Sequence, residues 1–314
     1  MKKQFLLLYT LLFSITGFAQ QEPLFTQYKI LGYTINPAMA GSQEMQELRL
    51  GYRSQWRNFP GAPTTATISF QGAMDEKSAG GILAFTDIMG PTQRSGLQLS
   101  YAFHVPIGQP GISGQTKLSF GLGGKVLQYH FRAESTYFQD RSDPAIMEAA
   151  QGMVIGDAAF GAYLYNDRFF AGFSAPNILQ SDFYTGVSSA NSRSVISRLY
   201  RHYFAFFGYR FDYSQLSIEP SVMIKKVHNT PYQIEGNVRF LMLEEKVFVG
   251  LSYRTDWLMS MMFGVHAKNL QFTYSYDFMT PNAEPGLLYG GTHEFTLGID
   301  IGGPGSWRKM YSGE

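Results

Sequence analysis

The stretch Tyr232-Gln-Ile-Glu-Gly-Asn-Val-Arg-Phe240 decides the fold class, because apolar and polar side chains alternate along it without a break. One face carries aromatic and aliphatic side chains, and the other carries Gln233, Glu235 and Arg239. Successive side chains of a β-strand point to opposite sides of a sheet. The stretch therefore predicts a strand with one apolar face and one polar face that contacts water.

The same alternation recurs from the first third of the chain almost to its end. We count about fourteen such runs, an even number, as is usual for single-chain outer-membrane barrels. The predicted strands cover residues 46–56, 64–74, 78–87, 94–105, 115–127, 155–165, 168–175, 199–211, 214–226, 231–242, 246–255, 258–268, 269–277 and 291–301.

The predicted connections alternate between short and long. Residues 75–77 and 243–245 form short turns, whereas 88–93, 128–154 and 176–198 form longer loops. Short turns in the periplasm and long loops outside are typical of outer-membrane barrels. The pattern predicts an all-β, antiparallel, up-and-down transmembrane barrel of about 14 strands, located in the outer membrane.

The composition fits a chain with one face in lipid. Aromatic residues make up 16% and charged residues 16%, against a typical charged share of about 25%. The mean hydropathy of −0.13 is nevertheless slightly below zero. A soluble antiparallel sandwich is the alternative, but its strands are usually shorter and its aromatic faces point inward. Long strands with aromatic faces favour the membrane barrel.

The two ends of the chain fall outside the alternating region. Residues 1–19 combine Lys2 and Lys3 with a short apolar run and small residues, which predicts a signal peptide cleaved before Gln20. A retained anchor is the alternative, but the apolar run is shorter than the ~20 residues of a membrane-spanning helix. Residues 20–45 are expected to form an N-terminal arm or plug, 46–301 the barrel and 302–314 a C-terminal tail.

The sequence offers no motif for catalysis or for a cofactor. Its six histidines are scattered, and cysteine is absent, which excludes disulfides and thiolate metal sites. Removing Lys2 and Lys3 from 25 basic and 24 acidic residues leaves 23 and 24, so no basic field points to nucleic acid. We expect no enzyme, no metal, no cofactor and no nucleic-acid partner.

Charged residues on the polar faces are candidates for the barrel interior. Four of them lie on two neighbouring predicted strands: Glu219, Lys225, Glu235 and Arg239. Inside a barrel such groups must be paired or hydrated. They indicate either a selective pore lining or a packed, salt-bridged interior, and the sequence does not choose between the two.

Several short motifs resemble one known family. Gln27-Tyr28 is followed by Ile35-Asn36-Pro37-Ala38-Met39-Ala40-Gly41, and a second block runs from Tyr52-Arg53 through Gln55-Trp56 and Phe59 to Gly61-Ala62-Pro63. Asp87, Gly90-Pro91 and Pro176-Asn177-Ile178-Leu179 continue in order. These blocks resemble the PorP/SprF family of type IX secretion membrane proteins, over essentially all of the chain after the signal.

The resemblance implies a non-catalytic outer-membrane barrel that supports secretion or surface anchoring of a large exported protein, such as a gliding adhesin. Its implied partners are lipid, other secretion-system components and the C-terminal sorting domain of a secreted cargo. A porin or hydrophobic-solute channel is the alternative function. Candidate partner-binding residues lie in the motif blocks and in the long loop 176–198: Asn36, Pro37, Trp56, Phe59, Arg193 and Arg198.

Overall fold

The computed structural model describes residues 25–111, 113–132, 152–184, 195–228, 230–255, 257–280 and 290–302. Within these ranges the helical segments are α1 (Gly32–Ile35) and a 3₁₀ helix (Pro37–Met39). The strands are β1 (Gln46–Ser54), β2 (Thr64–Ala73), β3 (Ser78–Met89), β4 (Thr92–Gly111), β5 (Gly114–Phe131), β6 (Met153–Tyr165), β7 (Phe169–Ala175), β8 (Asp182–Tyr184), β9 (Val195–Arg198), β10 (His202–Tyr209), β11 (Phe211–Asp212), β12 (Leu216–Val227), β13 (Gln233–Met242), β14 (Val247–Arg254), β15 (Leu258–Ala267), β16 (Leu270–Met279) and β17 (Thr292–Ile301).

Fourteen of these strands close into one antiparallel barrel. Strands β1 to β7 pair in sequence, β7 pairs with β10, and β12 to β17 continue the sheet. The pairings of β10 with β12 and of β17 with β1 close it. Strand β11 continues the line of β10 along β12, and β8 and β9 form a separate hairpin.

The two ends of the barrel differ in their connections. At the turn end, the connections 74–77, 243–246 and 268–269 are short, and β1 begins there opposite the last residue of β17. The loop end carries the longer connections 55–63 and 176–201. Because outer-membrane barrels keep short turns in the periplasm, the loop end faces the exterior.

The barrel is apolar outside and polar inside, the reverse of a soluble protein. In β17, Phe295 and Leu297 point outward and are 41% and 40% exposed, whereas Glu294 and Thr296 point inward and are 0% and 1% exposed. An apolar belt of this extent is stable only against hydrocarbon. The predicted fold class and the outer-membrane location are confirmed. Among the described residues, no helix is long and apolar enough to cross a membrane.

The structure corrects the prediction of a loop at 88–93. Strand β3 runs on to Met89 and β4 starts at Thr92, so only Gly90 and Pro91 connect them. Gly90 adopts a positive φ of 56°, which a two-residue turn requires and glycine tolerates. The ladder continues through Ile88 opposite Gln93 and Met89 opposite Thr92, so four of the six residues of the predicted loop belong to the strands.

Candidate functional site

The interior of the barrel is occupied by residues 25–45, which we call the lumen segment. Asn36, Ala38 and Ala40 in this segment have no exposed surface. Its first residues bind β1, β16 and β17, and its 3₁₀ helix packs against β4, β5 and β6 on the other side. The segment therefore crosses the lumen from wall to wall.

The lumen segment is built from consecutive tight turns. The carbonyl of Gln27 accepts a hydrogen bond from the N–H of Ile30 at 2.9 Å, and α1 adds one helical turn. The side chain of Asn36 then caps the 3₁₀ helix by accepting from the N–H of Ala38 at 2.9 Å. Pro37 fills the first helical position, where its missing N–H is not needed. The Asn36-Pro37-Ala38 motif is thus a turn fixture inside the lumen.

Two glycines of the wall allow the lumen segment to come into direct contact with β5 and β6. A Cβ at Gly161 of β6 would lie 1.9 Å from Oδ1 of Asn36, and one at Gly121 of β5 would lie 2.3 Å from the backbone nitrogen of Ala38. Real Cβ atoms do not approach other atoms so closely. The amide of Asn36 also donates to the carbonyl oxygen of Ala162 at 3.1 Å, which fixes the turn against β6.

The amino end of the lumen segment is held by Arg53, Asp277 and Glu294, which we call the latch. The carboxylate of Glu294 accepts from the backbone N–H groups of Thr26 and Gln27 at 2.9 and 3.1 Å. The hydroxyl of Thr26 donates to Asp277 at 2.8 Å. Arg53 ties the two acids together, at 2.5 Å from Glu294 and 2.6 Å from Asp277.

All three latch side chains are almost fully buried. Arg53 also donates to the hydroxyl of Thr26 at 3.0 Å, so the segment adds hydrogen bonds to the buried charges. A buried ion is stable only when its hydrogen-bonding groups are satisfied, and removal of one partner leaves an uncompensated charge. The latch and the segment therefore stabilise each other.

Two of the predicted lumen charges form a second cluster. Glu219 and Arg239 face each other on β12 and β13, and their side chains are 2.5 Å apart. Lys29 of the lumen segment lies 3.9 Å from Glu219, and its ammonium lies 3.3 Å from the centre of the Phe170 ring. Burial lowers the pKa of Lys29 from 10.5 to about 8, and the carboxylate of Glu219 opposes part of that shift.

The other two predicted lumen charges also point inward and are buried. Glu235 pairs with Arg254 on the adjacent strand at 2.7 Å. The ammonium of Lys225 lies 5.8 Å from the centre of the Phe204 ring. The structure brings Glu219 and Arg239 together but places Glu235 and Lys225 in different surroundings.

Apolar contacts fasten the lumen segment on two further sides. Tyr28, Ile35, Ala38 and Met39 pack against wall residues of four strands, and Tyr33 and Ala40 pack against a second group. The first wall group is Tyr163, Phe170, Phe204, Phe206 and Met223, and the second is Ala79, Leu83, Ala102 and Phe85. At the carboxyl end, the carbonyl of Ala40 accepts from Nε2 of His104 at 2.9 Å.

The described ends of the connection 176–201 contact the barrel wall at the loop end. The buried carboxylate of Asp157 on β6 accepts from the backbone N–H groups of Leu179 and Ser181 at 2.9 and 3.3 Å. Leu199 is buried against Leu127 of β5. These contacts draw the base of the loop toward the barrel interior.

Comparison with known protein families identifies one match over most of the chain. The model of the family described as type IX secretion system membrane protein PorP/SprF matches residues 17–299. The chain belongs to the PorP/SprF family. The resemblance found in the sequence is confirmed, and this PorP/SprF protein is a membrane barrel of type IX secretion. No curated protein sequence matches the chain significantly.

Solved outer-membrane barrels resemble this PorP/SprF protein at low sequence identity. The toluene transporter TbuX of Ralstonia pickettii is 9% identical over 85% of this chain and 92% of its own, with a TM-score of 0.49. The outer membrane protein Omp33 of Acinetobacter baumannii is 8% identical, with coverages of 82% and 98% and a TM-score of 0.44. A FadL homologue of Pseudomonas aeruginosa is 12% identical, with coverages of 85% and 92% and a TM-score of 0.45.

The predicted partner-binding residues of this PorP/SprF protein are dispersed. Phe59 lies in the loop 55–63 and is 52% exposed, beside the partly buried Trp56. Arg198 lies at the base of the loop 176–201, where it forms an ion pair with Asp182 at 2.5 Å. Asn36 and Pro37 lie inside the barrel, where both pack against the wall of β5 and β6. Arg193 lies outside the described residues.

The latch is the feature of this PorP/SprF protein that sequence reasoning missed. Arg53 and Glu294 stand out only as charged residues on polar strand faces, and nothing in the sequence pairs them with Thr26. The Gln27-Tyr28 motif was the available signal, since a polar motif outside the strands needs a partner. In the part of the chain that the structure describes, no three His, Asp or Glu side chains are grouped to hold a metal ion.

Proposed function

We propose that this PorP/SprF barrel acts as a partner-binding component of type IX secretion, without catalysis. It supports the secretion or cell-surface anchoring of a large exported protein, such as a gliding adhesin. The partners expected from the family resemblance are other secretion-system components and the C-terminal sorting domain of the cargo. The exterior loops are the proposed cargo surface.

One observation supports this proposal most directly: the lumen segment is bound inside the barrel on several sides. It is held by the latch, by the ion pair of Lys29 with Glu219, and by two groups of apolar wall residues. A segment with so many specific contacts is built to stay in place. We infer that the charged interior serves a packed core, and that binding takes place on the loops.

The rival function is a porin or hydrophobic-solute channel. A cavity at the outer part of the lumen measures about 20 Å³ and is lined by Phe25, Phe85, Lys125 and Phe204, among others. This volume suits about one water molecule, far from the space that a solute needs. The lumen segment, which contacts the wall on opposite sides of the interior, supports the closed scaffold over the channel.

The test alters the tip of the loop 176–201 and leaves its base in place. Strands β8 and β9 pair Tyr184 with Val195, so residues 185–194 can be replaced by an Asn-Gly turn without changing the hairpin register. Native-membrane purification of the wild type and of this variant, with identification of the bound proteins, reports on the partners. Immunodetection on intact cells reports surface display of the exported protein.

We expect the variant to fold, as judged by a heat-dependent shift on gels, and to lose cargo display while retaining the secretion-system components. A Phe59→Ala variant tests the second exposed loop in the same assay, and Glu76→Ala in the turn 74–77 is the control for the opposite end. Normal display by both loop variants would refute the proposed cargo surface. Purification of the wild type with no secretion-system component would refute the partner role.

A further inference from the structure

The contacts at the two ends of the lumen segment show in which direction it runs between the turn end and the loop end of the barrel. Its last part lies at the turn end: a Cβ on Gly41 would meet the side chain of Ala79 at 2.4 Å and the backbone nitrogen of Ala73 at 3.0 Å. Ala73 is the last residue of β2, and Ala79 is the second residue of β3. Gly41 therefore lies beside the short turn 74–77.

The first part of the segment lies at the opposite end. Thr26 contacts Arg53, the penultimate residue of β1, and Glu294, the third residue of β17. Asp277, its third partner, lies two residues before the end of β16. In all three strands these positions are close to the loop end.

The residue before Thr26 gives the same direction. Phe25 lines the small outer cavity together with Pro176, which directly follows β7 at the loop end, and Phe204 near the start of β10. The chain thus rises through the lumen from Gly41 to Phe25, and β1 begins again at the turn end at Gln46.

We infer that the chain threads the barrel, so that the residues preceding Phe25 leave at the loop end and the processed amino terminus lies on the cell surface. Signal removal before Gln20, expected from the sequence, leaves five residues ahead of Phe25. Five extended residues span about 17 Å. This length is enough to pass the loop end, because the contacts of Thr26 lie within a few residues of the strand ends.

The latch holds the lumen segment in one position along the barrel. Glu294 binds two successive backbone N–H groups and Asp277 binds the Thr26 hydroxyl, so the latch fixes the register of the segment as well as its presence. A fixed register keeps Phe25 at the loop end, beside Pro176. This topology does not depend on the identity of the cargo.

The absence of cysteine from the chain makes the test direct. Three single-cysteine variants are compared in intact cells with a membrane-impermeant maleimide: Glu22→Cys ahead of the segment, Asn58→Cys in the exterior loop 55–63, and Glu76→Cys in the turn 74–77. The same labelling is repeated after the outer membrane is permeabilised. Gel mobility before and after heating reports the folded barrel, and intact mass confirms that residue 22 is retained.

We expect Glu22→Cys to label in intact cells to the same extent as Asn58→Cys, while Glu76→Cys labels only after permeabilisation. Labelling of Glu22→Cys only after permeabilisation, or under neither condition, would overturn the inference, as would a processed chain that starts beyond Glu22. If Glu22→Cys does not fold, a short epitope inserted after residue 22 serves instead, with antibody binding to intact cells as the expected result and its loss as the contrary one.

Discussion

Arg53 and Asp277 form an ion pair of 2.6 Å inside the barrel, although one lies on β1 and the other on β16. Strand β17 runs between them and pairs with both strands. Glu294, on that intervening strand, binds the same guanidinium at 2.5 Å. The pair therefore bridges the place where the first and last strands of the barrel meet.

Replacing Arg53 by methionine should destabilise the barrel strongly. The change leaves two buried carboxylates without their cation, and breaking a buried pair in this way costs about 3–5 kcal/mol. The matched control is Arg198→Met, which breaks the more exposed pair with Asp182 and should cost less than about 1 kcal/mol. Urea-induced unfolding of the refolded barrels in micelles, followed by tryptophan fluorescence, measures both. Equal losses in the two variants would contradict a structural role of the latch.

Adding one methyl group to the wall should displace the lumen segment. In Gly161→Ala the new Cβ would lie 1.9 Å from Oδ1 of Asn36, so the 3₁₀ helix must shift, at a typical cost of about 1–3 kcal/mol. Gly236→Ala is the control, since a Cβ added there would meet no atom within 4 Å. We expect limited proteolysis to cut residues 25–45 faster in Gly161→Ala than in the control. Identical cleavage would show that the contact with Asn36 is dispensable.

The stability of the barrel should respond to the ionisation of Lys29. Because the pKa of Lys29 is about 8 in the folded protein and 10.5 ordinarily, the folded state binds fewer protons between these values. The cost of burying the ammonium is fully present below pH 8 and is relieved as the pH rises toward 10.5. Lys29→Met removes this cost, so its stability advantage over the wild type should shrink across that window. A difference that stays constant from pH 8 to 10.5 would contradict the shift.

Conductance distinguishes the closed scaffold from a channel. The purified wild type should show no large, steady conductance in planar bilayers, because the lumen segment crosses the interior. A variant that lacks residues 20–41 removes most of the lumen segment and should conduct if the barrel still folds. Steady openings of the wild type, equal to those of the deletion variant, would favour a pore.

The strands were predictable because the environment imposes their pattern. Each strand has lipid on one side and the interior on the other, so its sequence alternates whatever the function. The predicted barrel limits of 46 and 301 coincide with the start of β1 and the end of β17. The prediction for residues 88–93 was wrong because a two-residue turn leaves polar ladder residues close to Gly90 and Pro91, which resemble a loop in the sequence.

The charge pairs show what sequence can and cannot predict. Glu219 and Arg239 lie on strands that follow each other in the chain, so one connection sets their register and brings them opposite each other. Arg53 and Asp277 are separated by 224 positions, and they meet only because the sheet closes. Closure depends on the strand number and stagger of the whole barrel, which no local pattern encodes.

The latch also has a consequence for the order of assembly. Thr26 and Gln27 are among the first residues of the barrel to be synthesised, yet Glu294 follows them by 268 and 267 positions. Their binding groups lie on β16 and β17, the last two strands in the chain. The amino end of the lumen segment can therefore be fixed only after β16 and β17 have joined the sheet, whatever the order in which the other strands pair.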